Sequence, residues 1–321
     1  MNGIHIPNVE LANGVLMPSI VLGTAHLVDS PNGKMQFEPE LTFRQTELAL
    51  RAGLRSFDCA HIYRSQNPLG QVLGHWLRSG DLEKRSDVWI TSKVFHPFAS
   101  AALEISHMPT LPSMTPEEVK NQTKYFFEKS LLELNLGYVD LMLLHWPGET
   151  NQGTVENNRK LRLAAWTVLE ECYHRGWCRA IGVANFSVDH LKQLEEDGAT
   201  IRPHVNQIEA SIEVQYTDIR EYCKSKSIVL QAHSPIRGIS KDASKVIKDL
   251  GEKYGKDDAQ IAMRYLIQHG YTIAVLTKKY DRMISNTKLF DFVLSQEEMN
   301  LLDSFNKVDG GWGLPKPHEI S

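Results

Sequence analysis

The chain has 321 residues, 42% of them hydrophobic, which is enough to bury a full core. Its formal charge of −4, from 35 basic and 39 acidic residues with no long block of one sign, argues against a nucleic-acid stripe or a polybasic membrane anchor. The longest uncharged apolar runs are strand-sized, well short of the ~18–20 residues that span a bilayer.

The start, Met1-Asn-Gly-Ile-His-Ile-Pro7, lacks the basic end and apolar run of a signal peptide. Segments 4–10 and 14–18 flank Ala12-Asn13-Gly14 and read as a hairpin. Eight strand candidates follow at 19–24, 55–60, 88–94, 139–146, 180–185, 204–209, 227–234 and 271–277. Several are apolar at consecutive positions, as expected of strands covered on both faces. Helical stripes lie between them, such as Leu69, Val72, Leu73, Trp76 and Leu77. Gly53, Gly80, Gly137, Gly176 and Gly270 each follow such a stripe, where a left-handed cap needs a residue without a Cβ. Thr115-Pro116-Glu117-Glu118 and Ser295-Gln296-Glu297-Glu298 carry helix-start boxes. Cys59, Cys172, Cys178 and Cys223 have neither metal-ligand spacing nor the density of a disulfide scaffold, which suits a cytoplasmic protein.

Eight strands alternating with helices predict an α/β fold, a (β/α)8 TIM barrel with an N-terminal β-hairpin and a C-terminal helix and tail. No linker divides the chain, so one domain over 1–321 is expected. Asp58, Tyr63, Lys93 and His145 all fall at or just beyond strand ends, and in such a barrel those ends meet at one mouth. A phenol beside an ammonium loses its proton more readily, so Lys93, held by Asp58, is expected to lower the pKa of Tyr63. Tyr63 then serves as general acid or base, and His145 orients the reacting group.

These residues lie in segments that resemble the aldo-keto reductase superfamily. The matches are Phe57-Asp-Cys-Ala-His-Ile-Tyr63, Ile90-Thr-Ser-Lys-Val94, Asp140-Leu-Met-Leu-Leu-His-Trp-Pro147, Ile181-Gly-Val-Ala-Asn-Phe186, Val205-Asn-Gln-Ile-Glu209 and Ala232-His-Ser-Pro235. Arg282 to Asn286 and Leu289-Phe-Asp-Phe292 extend the likeness to nearly the whole chain. The resemblance implies reduction of an aldehyde or ketone with NADPH, the dinucleotide lying across the mouth.

It also implies cofactor contacts at Thr24, Asn185, Gln207, His233, Ser234, Thr277, Arg282 and Asn286, and Lys278 and Lys279, though off the matched lysine position, are placed to supply its charge. Substrate contacts are implied at Ala25, His26, Ile62, Phe95 and Trp146. Several positions depart from the family pattern, among them Ser65-Gln66, which stands where Asn-Glu is frequent and removes a carboxylate near the mouth. Ala184 replaces a common Ser, and His233 replaces a tyrosine that stacks on nicotinamide. Leu276 stands where a lysine meets the 2′-phosphate, which leaves NADH open beside NADPH. Ala25 stands where Trp is frequent and opens space. The largely apolar loop 96–114 reads either as a lid or as an exterior loop, and Trp312 either reaches the pocket or anchors the tail. The partner is a small carbonyl compound, with no nucleic acid, membrane or metal, and the protein is a monomer or weak oligomer. Two rival readings are a nucleotide-sensing regulatory subunit, supported by His233, Ala184 and Leu276, and a Schiff-base lyase or isomerase using Lys93.

Overall fold

The computed structural model describes residues 6–29, 35–94, 114–148, 154–307 and 316–320. An antiparallel hairpin comes first, β1 (Asn8–Glu10) and β2 (Leu16–Pro18), with Val9 opposite Met17. Its turn closes at Gly14, whose φ of +80° is left-handed and favours a residue without a Cβ. Leu11 and Met17 are buried and join Val21, Trp89, Leu141 and Val205 inside the barrel. Those partners sit in the first halves of their strands, so the hairpin plugs the end where the strands begin.

The first barrel strand is β3 (Ile20–Gly23). A second hairpin follows that the sequence reading did not foresee, β4 (Leu27–Asp29) and β5 (Met35–Phe37), with Leu27 opposite Phe37. The remaining barrel strands are β6 (Ser56–Asp58), β7 (Trp89–Val94), β8 (Val139–Leu144), β9 (Cys178–Ala184), β10 (Val205–Glu209), β11 (Val229–His233) and β12 (Thr272–Val275). With β3 they form a closed parallel barrel, β12 returning to β3 with Ala274 opposite Val21. All eight expected strands are present, most of them trimmed at the ends. The trimming has a physical cause at two of them: Asn185 and Ser234 adopt left-handed φ of 63° and 57°, and this turns the chain out of the ladder.

Among the described residues ten α-helices surround the barrel: α1 (Glu40–Arg51), α2 (Gln66–Ser79), α3 (Pro116–Leu134), α4 (Val155–His174), α5 (Val188–Glu196), α6 (Thr217–Ser225), α7 (Lys241–Tyr254), α8 (Asp258–Gln268), α9 (Tyr280–Ser285) and α10 (Gln296–Asp303). The Thr115 hydroxyl accepts from Glu118 N at 3.3 Å while the Glu118 carboxylate accepts from Thr115 N at 2.7 Å, the reciprocal start expected for α3. Ser295 and Glu298 repeat that arrangement at α10. The five predicted cap glycines all have left-handed φ, but the residue that caps α3 itself is Asn135, at φ 49°. The main core lies between the strands and this helical layer. Inside the barrel, space is tight enough that a Cβ on Gly182 would lie 2.5 Å from Val205 O. Among the described residues no helix is long and apolar enough to cross a membrane.

Candidate active site

Three barrel strands deliver the acid–base groups. Asp58 ends β6, Lys93 is the next-to-last residue of β7, and His145 directly follows β8. Tyr63 closes a single 3₁₀ turn, His61–Tyr63, just beyond β6. All four meet at the mouth. Lys93 Nζ donates to Asp58 Oδ1 and, at 3.2 Å, to Cys59 O. The other Asp58 oxygen accepts from Gln207 Nε2 at 2.7 Å, so the carboxylate is held from two sides. The Lys93 ammonium stands 4.9 Å from the centre of the Tyr63 ring. Tyr63 Oη lies 3.2 Å from His145 Nε2, with the two rings edge to face at 5.5 Å.

The electrostatics correct one expectation. Burial pushes the Tyr63 phenol above its ordinary pKa, and the nearby Lys93 charge only limits that rise. Lys93 was expected to win, but its charge is already shared with Asp58, whose own charge favours the protonated phenol. Tyr63 therefore keeps its proton at neutral pH. Burial also disfavours charge on Lys93, yet the Asp58 carboxylate, by its charge and its hydrogen bond, raises the Lys93 pKa and holds the ammonium protonated. Burial, then the charge of Lys93, drives His145 well below the usual histidine range. A neutral imidazole beside a neutral phenol and a paired ammonium can hold a carbonyl oxygen and pass it a proton.

Beside this group lie the residues proposed for a dinucleotide. Asn185 Nδ2 donates to His145 O at 3.0 Å, and Asn185 Oδ1 lies 3.4 Å from His233 Nε2. His233 Nδ1 is 3.1 Å from Ser234 Oγ. Burial, with the charges of Lys93 and Arg237, pushes His233 down to about 3, so its ring is neutral where an aromatic face is expected. Thr24 points inward, its hydroxyl donating to Asp58 O at 3.0 Å and pairing with Ser65 Oγ at 2.7 Å. Thr277 Oγ1 accepts from Lys279 N at 3.2 Å and so shapes the turn into α9. Lys278, Lys279 and Arg282 are exposed on that turn and helix, together with Asp281, while Asn286 is buried behind them. Leu276 turns outward, 42% exposed, and so places an apolar side chain where the family pattern has a lysine.

These residues fit a reduced nicotinamide dinucleotide. Carboxamides lie at the centre of the mouth and cations at its edge. Gln231 Nε2 and Trp146 Nε1 are buried donors with no partner among the described residues. Gln231, a polar side chain inside the apolar run of β11 that the sequence reading did not single out, accepts from Gln207 Nε2 at 2.6 Å and so supports Gln207.

The substrate candidates divide. Ile62 and Trp146 are buried together in an apolar cluster at the mouth, and Ala25 packs against it with Tyr63. Trp146 is stacked beside His145 at 6.3 Å. His26 belongs to the barrel wall instead: its Nε2 is 2.9 Å from Gln45 Oε1, and Gln45 Nε2 bridges Gly23 O and Thr277 O. Phe95, loop residues 96–113 and Trp312 lie outside the described residues, and Met114 packs against the outer core. The same cluster contains Phe37 and Ile320, neither of which carries a sequence signal.

The sequence profile described as the Aldo/keto reductase family matches residues 19–307. The glyoxal reductase of Bacillus subtilis (strain 168) is 35% identical over 312 residues, covering 97% of this chain and 96% of the relative. The NADPH-dependent codeinone reductase 1-1 of Papaver somniferum is 32% identical over 313 residues, 93% of this chain and 89% of the relative. Among solved structures, a Bombyx mori aldo-keto reductase in complex with NADP superposes with a TM-score of 0.77 at 25% identity, covering 95% of this chain and 94% of the other. The chain belongs to the aldo/keto reductase family.

Proposed function

We propose that this protein reduces an aldehyde or ketone to the alcohol with NADPH, and that Tyr63 donates the proton. The observation that carries this is the Tyr63 hydroxyl 3.2 Å from His145 Nε2, beside the Lys93–Asp58 pair. The bound dinucleotide supplies the hydride. As the carbonyl carbon receives it, negative charge grows on oxygen, and the Tyr63 O–H transfers its proton there. The phenolate that remains is stabilised by the Lys93 ammonium, which Asp58 and Gln207 hold in place. The neutral His145 ring, fixed through its backbone carbonyl by Asn185, positions the carbonyl oxygen. Asn185 and Gln207 would hold the nicotinamide end, His233 and Ser234 its flank, and Lys278, Lys279, Arg282 and Asn286 the adenosine end.

NADPH is preferred over NADH because three exposed cations surround the turn that Leu276 leaves uncharged, and because relatives carry NADP or NADPH in their names and titles. Retention of all four acid–base residues disfavours a purely regulatory role. We also propose a cytoplasmic enzyme, consistent with four free, buried cysteines, and a monomer or weak oligomer. The test is loss of reduced-nicotinamide absorbance with an aryl aldehyde, comparing wild type with Tyr63→Phe. Turnover by wild type and a loss of about 10³-fold in the variant is expected. Turnover retained in Tyr63→Phe removes it as the acid.

A further inference from the structure

Behind the mouth lies a cation that the acid–base set does not use. Arg162, on α4, is 1% exposed and is one of the largest fully buried side chains among the described residues. Its Nε donates to Pro147 O at 2.8 Å, and its Nη1 donates to Gln193 Oε1 of α5 at 2.6 Å. The guanidinium carbon stands 5.7 Å from the centre of the Phe186 ring, within cation–π range. Burial lowers the Arg162 pKa to about 10, and the group stays charged at neutral pH. That charge is felt nearby: burial, then Arg162, pushes His190 in the first turn of α5 down to about 3.

These contacts fall on two loops that carry site residues. Pro147 follows His145 and Trp146 out of β8. Phe186 follows Asn185 out of β9, and Asn185 Nδ2 donates to His145 O. One guanidinium therefore braces both exits and, through Gln193, fastens them to α5. Asn158, one turn earlier on α4, is fully buried against Gly148, where an added Cβ would lie 2.7 Å from Asn158 Cγ. Residues four apart share a helix face, so α4 grips the exit of β8 at two successive positions, Pro147 and Gly148. Burying a guanidinium is unfavourable unless its donors are met, and an apolar side chain would fill the same space at lower cost. What an apolar side chain lacks is a directed hold on a carbonyl.

We infer that Arg162 is a positioning residue for carbonyl reduction: through Pro147 O it fixes the β8 exit loop and so sets His145 against Tyr63. This rests on Tyr63 and His145 being the acid–base pair of a reductase. Buried as it is, Arg162 acts through the loop and not on a ligand.

The experiment measures kcat and KM for 4-nitrobenzaldehyde, and NADPH affinity by fluorescence titration, in wild type, Arg162→Lys and Arg162→Ala. A misplaced catalytic group is costly, and Arg162→Ala should lose about 10²-fold in kcat. KM and NADPH affinity should stay near the wild-type values, because the hold matters most in the transition state. A lysine keeps the charge but cannot reach Pro147 O and Gln193 together, so Arg162→Lys should fall toward the alanine variant. Guanidinium chloride at millimolar concentration should refill the space in Arg162→Ala and restore kcat, whereas ammonium chloride should not. Wild-type kcat in either variant overturns the positioning role, as does equal rescue by the two salts. A loss of NADPH affinity matching the loss of kcat would mean a general loosening of the mouth and would also overturn it. A wild type that reduces no aldehyde overturns the reductase reading, and this role with it. Arg162→Lys preserves charge and most of the volume, so it carries the test if Arg162→Ala does not fold.

Discussion

At the strand starts, Asp140 of β8 is buried between Arg179 Nη1 at 3.0 Å and Arg85 Nη2 at 2.9 Å, and it also accepts from Ile90 N at 2.8 Å. At the strand ends, Asp58 of β6 is buried against one cation, Lys93, and one amide, Gln207. The first carboxylate ties β8 to β7, β9 and the 3₁₀ turn Arg85–Asp87, beneath the plug of β1 and β2. The second holds an ammonium against a phenol that is free to react. Around the mouth, His145 Nδ1, Trp146 Nε1, Gln66 Oε1 and Gln231 Nε2 lack partners among the described residues, against Arg85 Nε at the floor. Both carboxylates have their own oxygens satisfied; what differs is that more unpartnered polar atoms lie around the mouth than around the floor. Burying a carboxylate therefore does not by itself mark a site.

Exchanging the two carboxylates for amides separates these roles. Asp58→Asn loosens Lys93, and carbonyl reduction should fall by about 10²-fold or more in steady-state assays. Asp140→Asn leaves two arginines facing each other and should cost about 3–5 kcal/mol in urea unfolding while kcat holds. Equal effects of both variants on turnover would remove the division between floor and mouth.

A smaller effect concerns acid stability. His190 is pushed down to about 3 by burial and by Arg162, whereas an unfolded histidine titrates near about 6.5. Below that value the unfolded chain takes up a proton that the folded ring refuses. The stability contributed by His190 is therefore present above about pH 6.5 and is lost as pH falls toward the folded value. At about pH 5 this amounts to roughly 2 kcal/mol, which His190→Gln should abolish when unfolding at pH 5 and pH 7.5 is compared. An unchanged pH dependence would show that His190 is protonated in the fold. Smaller again, Leu276→Lys should tighten NADPH over NADH by about five-fold in fluorescence titration. If both cofactors respond alike, residue 276 does not face the 2′-phosphate.

The barrel was legible because its strands are buried on both faces and therefore read as continuous apolar runs between capped helices. The tetrad was legible because strand ends converge at one mouth, so Asp58, Lys93 and His145 could be grouped without coordinates. The β4–β5 hairpin was not, since segment 27–37 has neither a strict alternation nor a long apolar run. Phe37 and Ile320 were hidden for a related reason: their value lies in contacts across the fold, to which no local spacing points. The direction of the Tyr63 shift was misjudged because sequence shows which charges are near but not how deeply they are buried. His26 illustrates the reverse case, a residue adjacent to the mouth in sequence whose side chain is taken up by Gln45 in the wall.

The most direct measurement is the pH dependence of single-turnover hydride transfer to an aryl aldehyde, for wild type with Tyr63→Phe as control. An acid acts only while protonated, so its rate falls as pH rises through its pKa. Because burial holds the Tyr63 phenol above its ordinary value near about 10, reduction should stay level from about pH 6 to about pH 9 and vanish in the variant. A wild-type rate that declines with a midpoint near about pH 8 would mean that Lys93 dominates over burial, and would contradict a fully protonated phenol as the resting proton donor.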